Sequence, residues 1–357
     1  MKIDKTKLKM IKAKEIENYL IKNGSIFVSD LNQDKILVQH IYIGDNTIKS
    51  LEYSPQEQFE QILPNIWYRE YTLPNVHNLC YWLFKNCKEF PDEEKFESER
   101  DELYIEDKYS KNVLSFYDEQ KNIYFKQTYI YPIDEFTKHF NLKNEKLQFY
   151  SNSLQEEREI IIEYPQNYCS SKKYKILILT DGLCWKYTMH LGDCLANDKD
   201  VDDYIICYIL QKNRNIELPM NKNFCKFITI DLIKFLSSKF SLTTDKNNFI
   251  FCGQSFGGLT ALYIDMYFPN RIGTLICQSA SLWYDKKDEI LGYYKNNNVK
   301  SKMYYSYGNC EKPFITDKGI LFKDFLSVNK GNKFKIFAGG HDYISWQKDI
   351  LNALKNI

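Results

Sequence analysis

The chain has 357 residues, with 48 Lys and Arg against 47 Asp and Glu, 44% hydrophobic residues, 14 Gly and 9 Pro. A formal net charge of +1 removes the general phosphate attraction that nucleic-acid binders rely on, and the low Gly and Pro content excludes collagen-like and low-complexity classes. The length suits two domains and a sizeable core that needs no disulfide staples.

Lys2, Asp4, Lys5, Lys7, Lys9 and Lys12 crowd the amino terminus, leaving no apolar stretch for a secretory signal. The longest wholly apolar run, Ile205 to Leu210, falls far short of the roughly 20 residues a bilayer demands. The expectation is a soluble cytoplasmic protein with no membrane and no nucleic-acid partner. The ten cysteines include no CxxC pair, and Cys207, Cys252 and Cys277 lie inside apolar runs. They read as small core hydrophobes rather than zinc ligands.

In chain order, Leu8, Ile11, Ile16, Tyr19 and Leu20 predict an amphipathic helix from Leu8 to Ile21, closed by Gly24. Short β runs follow at Phe27, Ile36 to Val38, Ile41 to Ile43, Trp67 to Leu73, Leu79 to Phe84 and Ile123 to Ile130. Turn residues such as Gly44-Asp45-Asn46 separate them. Residues 1–140 therefore read as a β-sandwich-like domain with no recognisable catalytic group. The charged stretch from Glu89 to Lys108 reads as an exposed connector, as does Lys295 to Lys302.

Residues 141–357 alternate differently. Strand candidates are Leu147 to Tyr150, Glu159 to Tyr164, Lys175 to Leu179, Tyr204 to Leu210, Phe249 to Cys252, Thr274 to Cys277, Met303 to Tyr307 and Phe334 to Phe337. Helical periods lie between several of them, and Phe224, Phe227, Ile228, Leu232, Phe235 and Leu236 are spaced for one buried face. Apolar strands separated by helices predict an α/β domain with a mostly parallel sheet covered on both sides.

Gly253-Gln254-Ser255-Phe256-Gly257-Gly258 follows one of these strands and precedes the apolar helical stretch Leu259 to Phe268. A GxSxG between strand and helix is a nucleophile elbow, a turn so tight that the flanking residues must lack side chains while the serine hydroxyl rises above the sheet. A serine is a poor nucleophile at neutral pH and needs a base. Of five histidines, His341 alone lies beyond Ser255, in Phe337-Ala338-Gly339-Gly340-His341-Asp342 just after the last strand. His40, His77, His139 and His190 read as surface or core residues.

The acid that orients the imidazole belongs between them. Glu311, in Gly308-Asn309-Cys310-Glu311 after the strand Met303 to Tyr307, is the first choice, with Asp317, Asp285 and Asp342 as alternatives. Oxyanion donors are expected from the amide of Phe256 and from that of Gly182 or Leu183, in Thr180-Asp181-Gly182-Leu183-Cys184-Trp185 after an early strand.

These segments resemble the enterochelin (ferric enterobactin) esterases, which have the α/β-hydrolase fold. The likeness covers most of the chain. It runs through Thr180 to Trp185, Arg214-Asn215-Ile216-Glu217-Leu218-Pro219-Met220-Asn221-Lys222-Asn223-Phe224, Gly253 to Leu259, Gln278-Ser279-Ala280-Ser281-Leu282-Trp283, Glu311-Lys312-Pro313, and Gly339-Gly340-His341-Asp342 with Trp346. A fainter stretch runs from Leu63-Pro64-Asn65-Ile66-Trp67-Tyr68 to Trp82. Leu282-Trp283-Tyr284 stands where the family commonly has paired tryptophans, and Cys184 stands where an aromatic is frequent.

The resemblance implies a serine esterase that opens the trilactone of a ferric catecholate siderophore in the cytoplasm and so releases iron. Ser255, His341 and Glu311 match the catalytic positions, and Arg214 matches an arginine associated with the anionic substrate, an ion pair with Glu217 being its structural alternative. No metal or organic cofactor is implied, since iron arrives with the substrate. Trp185, Trp283, Tyr284 and Trp346 could face catechol rings. Lys172, Lys173, Lys186, Lys286, Lys287 and Lys312 could attract an anion. A general or feruloyl-type carboxylesterase is the alternative enzyme, and a non-catalytic siderophore-binding protein the alternative outside catalysis. A monomer or weak dimer is expected because no heptad pattern or long apolar seam is present.

Overall fold

The computed structural model describes residues 3–44, 48–50, 59–76, 79–81, 83–85, 104–118, 123–129, 140–240, 245–328 and 330–357. The chain divides into two compact units, one made of Met1–Ser115 with Phe125–Asp134, the other of Phe116–Tyr124 with Glu135–Ile357.

In the first unit the expected single helix is two, Lys5–Leu8 and Ala13–Asn23. Ile11 and Ile16 are five residues apart, a rotation of roughly 140° at 100° per residue, so one straight helix cannot bury both. Accordingly Ile16 and Leu20 are buried and Ile11 is exposed. The two runs at Ile36 to Val38 and Ile41 to Ile43 are one continuous strand, Lys35–Ile43, whose interior is buried. It lies between Ile26–Asp30 and Ile66–Pro74 in an antiparallel sheet completed by Glu60–Leu63.

Leu8, Ile16, Leu20, Phe27, Ile41, Ile62, Ile66 and Tyr68 form the core under that sheet. On the other face of the strand Lys35–Ile43, His40 is fully buried against Phe59 and Tyr81, its Nε2 2.9 Å from Asp107 Oδ2, an oxygen that also accepts from Ser25 Oγ and Tyr81 OH. His77, Trp82 and His139 lie outside the described residues, as does most of the connector expected from Glu89.

The second unit carries one eight-stranded sheet: β1 (Asn144–Ser151), β2 (Glu156–Glu163), β3 (Lys175–Leu179), β4 (Tyr204–Ile209), β5 (Phe249–Gln254), β6 (Thr274–Gln278), β7 (Lys302–Gly308) and β8 (Lys333–Phe337). Their order is β1-β2-β4-β3-β5-β6-β7-β8. Only β2 runs against its neighbours; every pair from β4 to β8 is parallel. This is the mostly parallel α/β sheet expected, with each of the eight strand candidates in place. The inner strands β4 and β5 are buried at every position, as strands covered on both faces must be.

The helical period at Phe224 to Leu236 runs through Lys222–Lys226, a π segment at Phe227–Leu232 and Ile233–Phe240. Its Phe224, Phe227, Ile228, Leu232 and Leu236 enter the core together with Cys207 and Cys277. Among the described residues no helix is long and apolar enough to cross a membrane.

Candidate active site

Parallel pairing places the carboxyl ends of β3, β5, β6, β7 and β8 along one edge of the sheet, where ligands of open α/β sheets bind. Every segment expected to act leaves the sheet at that edge: Asp181-Gly182-Leu183 after β3, Ser255 after β5, Ser279 to Ser281 after β6, Glu311 after β7 and His341 after β8. Backbone bonds hold these loops in line past the strand ends. Ser255 N donates to Gln278 O (3.0 Å), Ser279 N to Ser306 O (2.7 Å), Asn309 N to Phe337 O and Cys310 N to Gly339 O (both 2.9 Å).

Three non-glycine residues at successive strand ends, Asp181 (φ 55°), Ser255 (φ 56°) and Ser279 (φ 49°), have left-handed φ values. Such strain gathers at functional sites because the surroundings must over-determine it.

Ser255 (ψ −114°) caps the helix Phe256–Tyr267 and turns the chain abruptly from β5 into it. The glycines make this possible. A Cβ at Gly253 would lie 2.1 Å from Gly257 O, and one at Gly258 2.7 Å from Gln278 O. Because the first clash is with backbone, Gly253→Ala is expected to cost about 3 kcal/mol, the upper range for overpacking. A thermal melt showing no drop in midpoint would contradict the tightness of this turn.

Ser255 Oγ shares a 3.0 Å hydrogen bond with Ser281 Oγ. Phe256 opens its helix, and Gly182 and Leu183 open the helical turn after β3; first-turn amides have no intrahelical acceptor. A Cβ at Gly182 would meet Ile209 O at 2.6 Å, so that turn presses directly against β4.

His341 and Glu311 are paired. Nδ1 lies 2.7 Å from Glu311 Oε2, with the glutamate side chain 0% exposed and the histidine 26% exposed. An ionised carboxylate only accepts, so Nδ1 carries the proton and Nε2 is the basic nitrogen. The other oxygen, Oε1, accepts from Ser279 Oγ (2.5 Å) and Gly308 N (2.6 Å). Trp346 Nε1 donates to the same Ser279 Oγ (2.8 Å), and its ring meets the His341 ring edge-on at 4.8 Å.

The alternative acids are occupied or elsewhere. Asp342 caps the last helix through Ser345, and Asp285 accepts from Ile290 N. Asp317 lies within the helix Pro313–Gly319.

The four side chains expected to meet substrate separate into two groups. Trp185 is completely buried, with Nε1 donating to Gln254 Oε1 at 3.0 Å, and Trp346 is buried against the imidazole. Neither presents a face to a ligand, which corrects that expectation. Trp185 is drawn inward by the five-residue π turn Cys184–Thr188 that follows the β3 loop. Trp283 stays partly open beside the nucleophile, 5.8 Å from the Phe256 ring, with Tyr284 (41% exposed) 5.2 Å from Phe256 on the same wall. Lys286 Nζ lies 5.9 Å over Trp283.

Arg214 does not pair with Glu217. Its Nε donates to Asp181 Oδ1 (2.7 Å) and its Nη2 to Oδ2 (3.3 Å), whereas Glu217 is held by Arg158 at 2.7 and 2.9 Å. Burial opposes the guanidinium charge, but Asp181 outweighs it and raises the Arg214 pKa further above its ordinary value. Lys172 pairs with Asp203, and both precede their strands at the opposite edge of the sheet, so that lysine does not serve the mouth. Lys186 is sunk against Glu163. Ser279, Ser281 and the Asp181 carboxylate are the participants not assigned from sequence. The first two lie in the stretch Gln278 to Trp283 that carried the family likeness, but nothing in their spacing marks which serine meets the nucleophile and which meets the acid.

Residues 151–357, more than half the chain, match the Esterase family model. The chain is 25% identical over 232 residues to the protein YjcH of Bacillus subtilis (strain 168), across 59% of this chain and 95% of that one. It is 22% identical over 199 residues to the iron(III) enterobactin esterase of Escherichia coli (strain K12), across 52% of this chain and only 50% of that protein. The crystal structure of the enterobactin esterase FES from Shigella flexneri in the presence of enterobactin superposes with a TM-score of 0.74 at 16% identity, covering 95% of this chain and 97% of the other.

Proposed function

Because the chain belongs to the Esterase family, we propose that it is a cytoplasmic serine hydrolase acting on the ester bonds of a ferric catecholate siderophore. The observation that carries the reading is the Ser255 elbow at the same sheet edge as a His341 imidazole whose Nδ1 is pinned by the buried Glu311. Ser255 Oγ attacks the ester carbonyl while His341 takes its proton, and the imidazolium returns that proton to the departing alkoxide. Water, activated by the same imidazole, then releases the carboxylate and restores the serine. The amides of Phe256 and of Gly182 or Leu183 are suited to hold the oxyanion. The chemistry uses side chains, amides and water; iron belongs to the substrate.

Support for an aromatic, anionic substrate comes from Phe256, Trp283 and Tyr284 beside the nucleophile, with Lys286 above the indole. Catechol rings pack on such faces and a nearby cation compensates their charge. Incubation with ferric enterobactin is expected to yield linear trimer, dimer and monomer, separated by chromatography. Turnover of feruloyl or nitrophenyl esters with the siderophore left intact would instead identify a general aromatic carboxylesterase. Tight binding of the ferric ligand with no product or covalent adduct would identify a binding protein.

A further inference from the structure

We infer that Arg214 is a positioning residue for the oxyanion-stabilising amides rather than an anchor for substrate anions; the inference rests on the hydrolase reading above. The edge of its guanidinium formed by Nε and Nη2 is committed to Asp181, at 2.7 and 3.3 Å. Asp181 is buried, holds a left-handed φ of 55° and immediately precedes Gly182 and Leu183. A conformation of that kind persists only when the surroundings hold it, and this fork is the side-chain contact that does so, beside the bond from Trp185 N to Asp181 O (3.2 Å). The face of the same guanidinium lies over the Phe256 ring, 5.5 Å from its centroid. One planar cation therefore touches the residue before one expected oxyanion donor and the side chain of the other.

Arg214 is itself carried on a short helix, Arg214–Glu217, capped by Asn213 and tied down by the buried Arg158–Glu217 pair. Asp181 fills the Nε–Nη2 edge and compensates the charge, which leaves the Nη1 side of a guanidinium that is 34% exposed as the only part open to a catecholate. Lysine cannot replace it, because an ammonium has neither the fork nor the flat face.

The test uses p-nitrophenyl acetate, a neutral ester with no anionic group for an arginine to bind, alongside ferric enterobactin. Arg214→Gln and Asp181→Asn break the pair from either side, and Asn tolerates the left-handed backbone as Asp does. Each is expected to lower kcat on the neutral ester roughly 10- to 100-fold with little change in KM, since misplaced oxyanion donors cost transition-state binding rather than ground-state binding. The double variant is expected to fall no further than the worse single one, and Arg214→Lys to recover little. Thermal midpoints identify a variant that has lost its fold, in which case the other side of the pair supplies the reading. Neutral-ester turnover within about twofold of wild type in both variants, with KM rising only for the catecholate, would overturn the inference while Ser255→Ala remained inactive. Unchanged activity in Ser255→Ala would overturn the hydrolase reading as well.

Discussion

Replacing Ser255 by alanine is expected to reduce kcat/KM on any ester the protein turns over by about 10⁵-fold, the scale seen when a serine nucleophile is removed and only the oxyanion site remains. The variant should stay folded, because alanine keeps the Cβ already accommodated in the elbow and only the 3.0 Å contact with Ser281 is lost. Ser255→Gly sharpens the test. The serine sits at φ 56°, ψ −114°, where glycine alone is unstrained, so the glycine variant should be about 1 kcal/mol more stable than the alanine variant while equally inactive. Catalysis and backbone strain at this residue are thus read separately, one by kinetics and the other by denaturation. An alanine variant with a tenth of wild-type activity or more would remove Ser255 from the chemistry.

Glu311→Gln is expected to cost roughly 10³- to 10⁴-fold in kcat with little effect on KM, by analogy with amide substitution of the acid in other serine hydrolases. The carboxylate collects three donors: His341 Nδ1 on one oxygen, Ser279 Oγ and Gly308 N on the other. A carboxamide offers only one acceptor oxygen. If that oxygen keeps Ser279 and Gly308, the amide NH₂ faces Nδ1, forces it to accept, and moves the proton to Nε2, where no base remains. If the amide turns over, its NH₂ confronts two donors inside a fully buried pocket. Ser279→Ala leaves the carboxylate and the Gly308 bond intact but removes one donor to the charged carboxylate and the acceptor of Trp346 Nε1, and should cost roughly 10- to 100-fold, less than Glu311→Gln. A Glu311→Gln enzyme within about threefold of wild type would transfer the orienting role to another group.

Ser255 and Glu311, the residues these predictions concern, are visible in the chain before any coordinates, whereas the backbone angles and donor bonds that size the effects are not. The inner strands of the sheet were legible because runs such as Ile176 to Leu179 and Ile205 to Ile209 are apolar at consecutive positions, the pattern of a strand covered on both faces, whereas the edge strand β1 alternates between exposed and half-buried positions. The elbow was legible because sterics confine Gly253 and Gly257 to glycine, and His341 because scarcity left no rival beyond Ser255.

What was not legible depends on pairs far apart in sequence. Arg214 and Asp181 are 33 residues apart, and an arginine near Glu217 gives no sign that a different arginine, 59 residues upstream of that glutamate, already holds it. Trp185 and Trp346 were expected to face substrate because tryptophan offers a flat ring. Their indole N–H groups instead found Gln254 and Ser279 within the protein, a choice set by packing depth. The break between the first two helices was written in the five-residue step from Ile11 to Ile16, and a stricter count of the period finds it.

Phe116 is fully buried and its ring lies 4.7 Å from that of Tyr343, which in turn packs at 5.3 Å on Trp346, the neighbour of the His341 imidazole. The stretch Phe116–Tyr124 belongs with the hydrolase unit although the residues on both sides of it, up to Ser115 and from Phe125 to Asp134, do not. The polypeptide therefore changes unit at three places, and no single scission yields a whole catalytic half. A gene trimmed to begin after Asp134 would encode every group of the proposed reaction yet omit the phenyl ring that backs the histidine's aromatic support. Any recombination that exchanges the amino-terminal portion has to carry this nine-residue loan across intact.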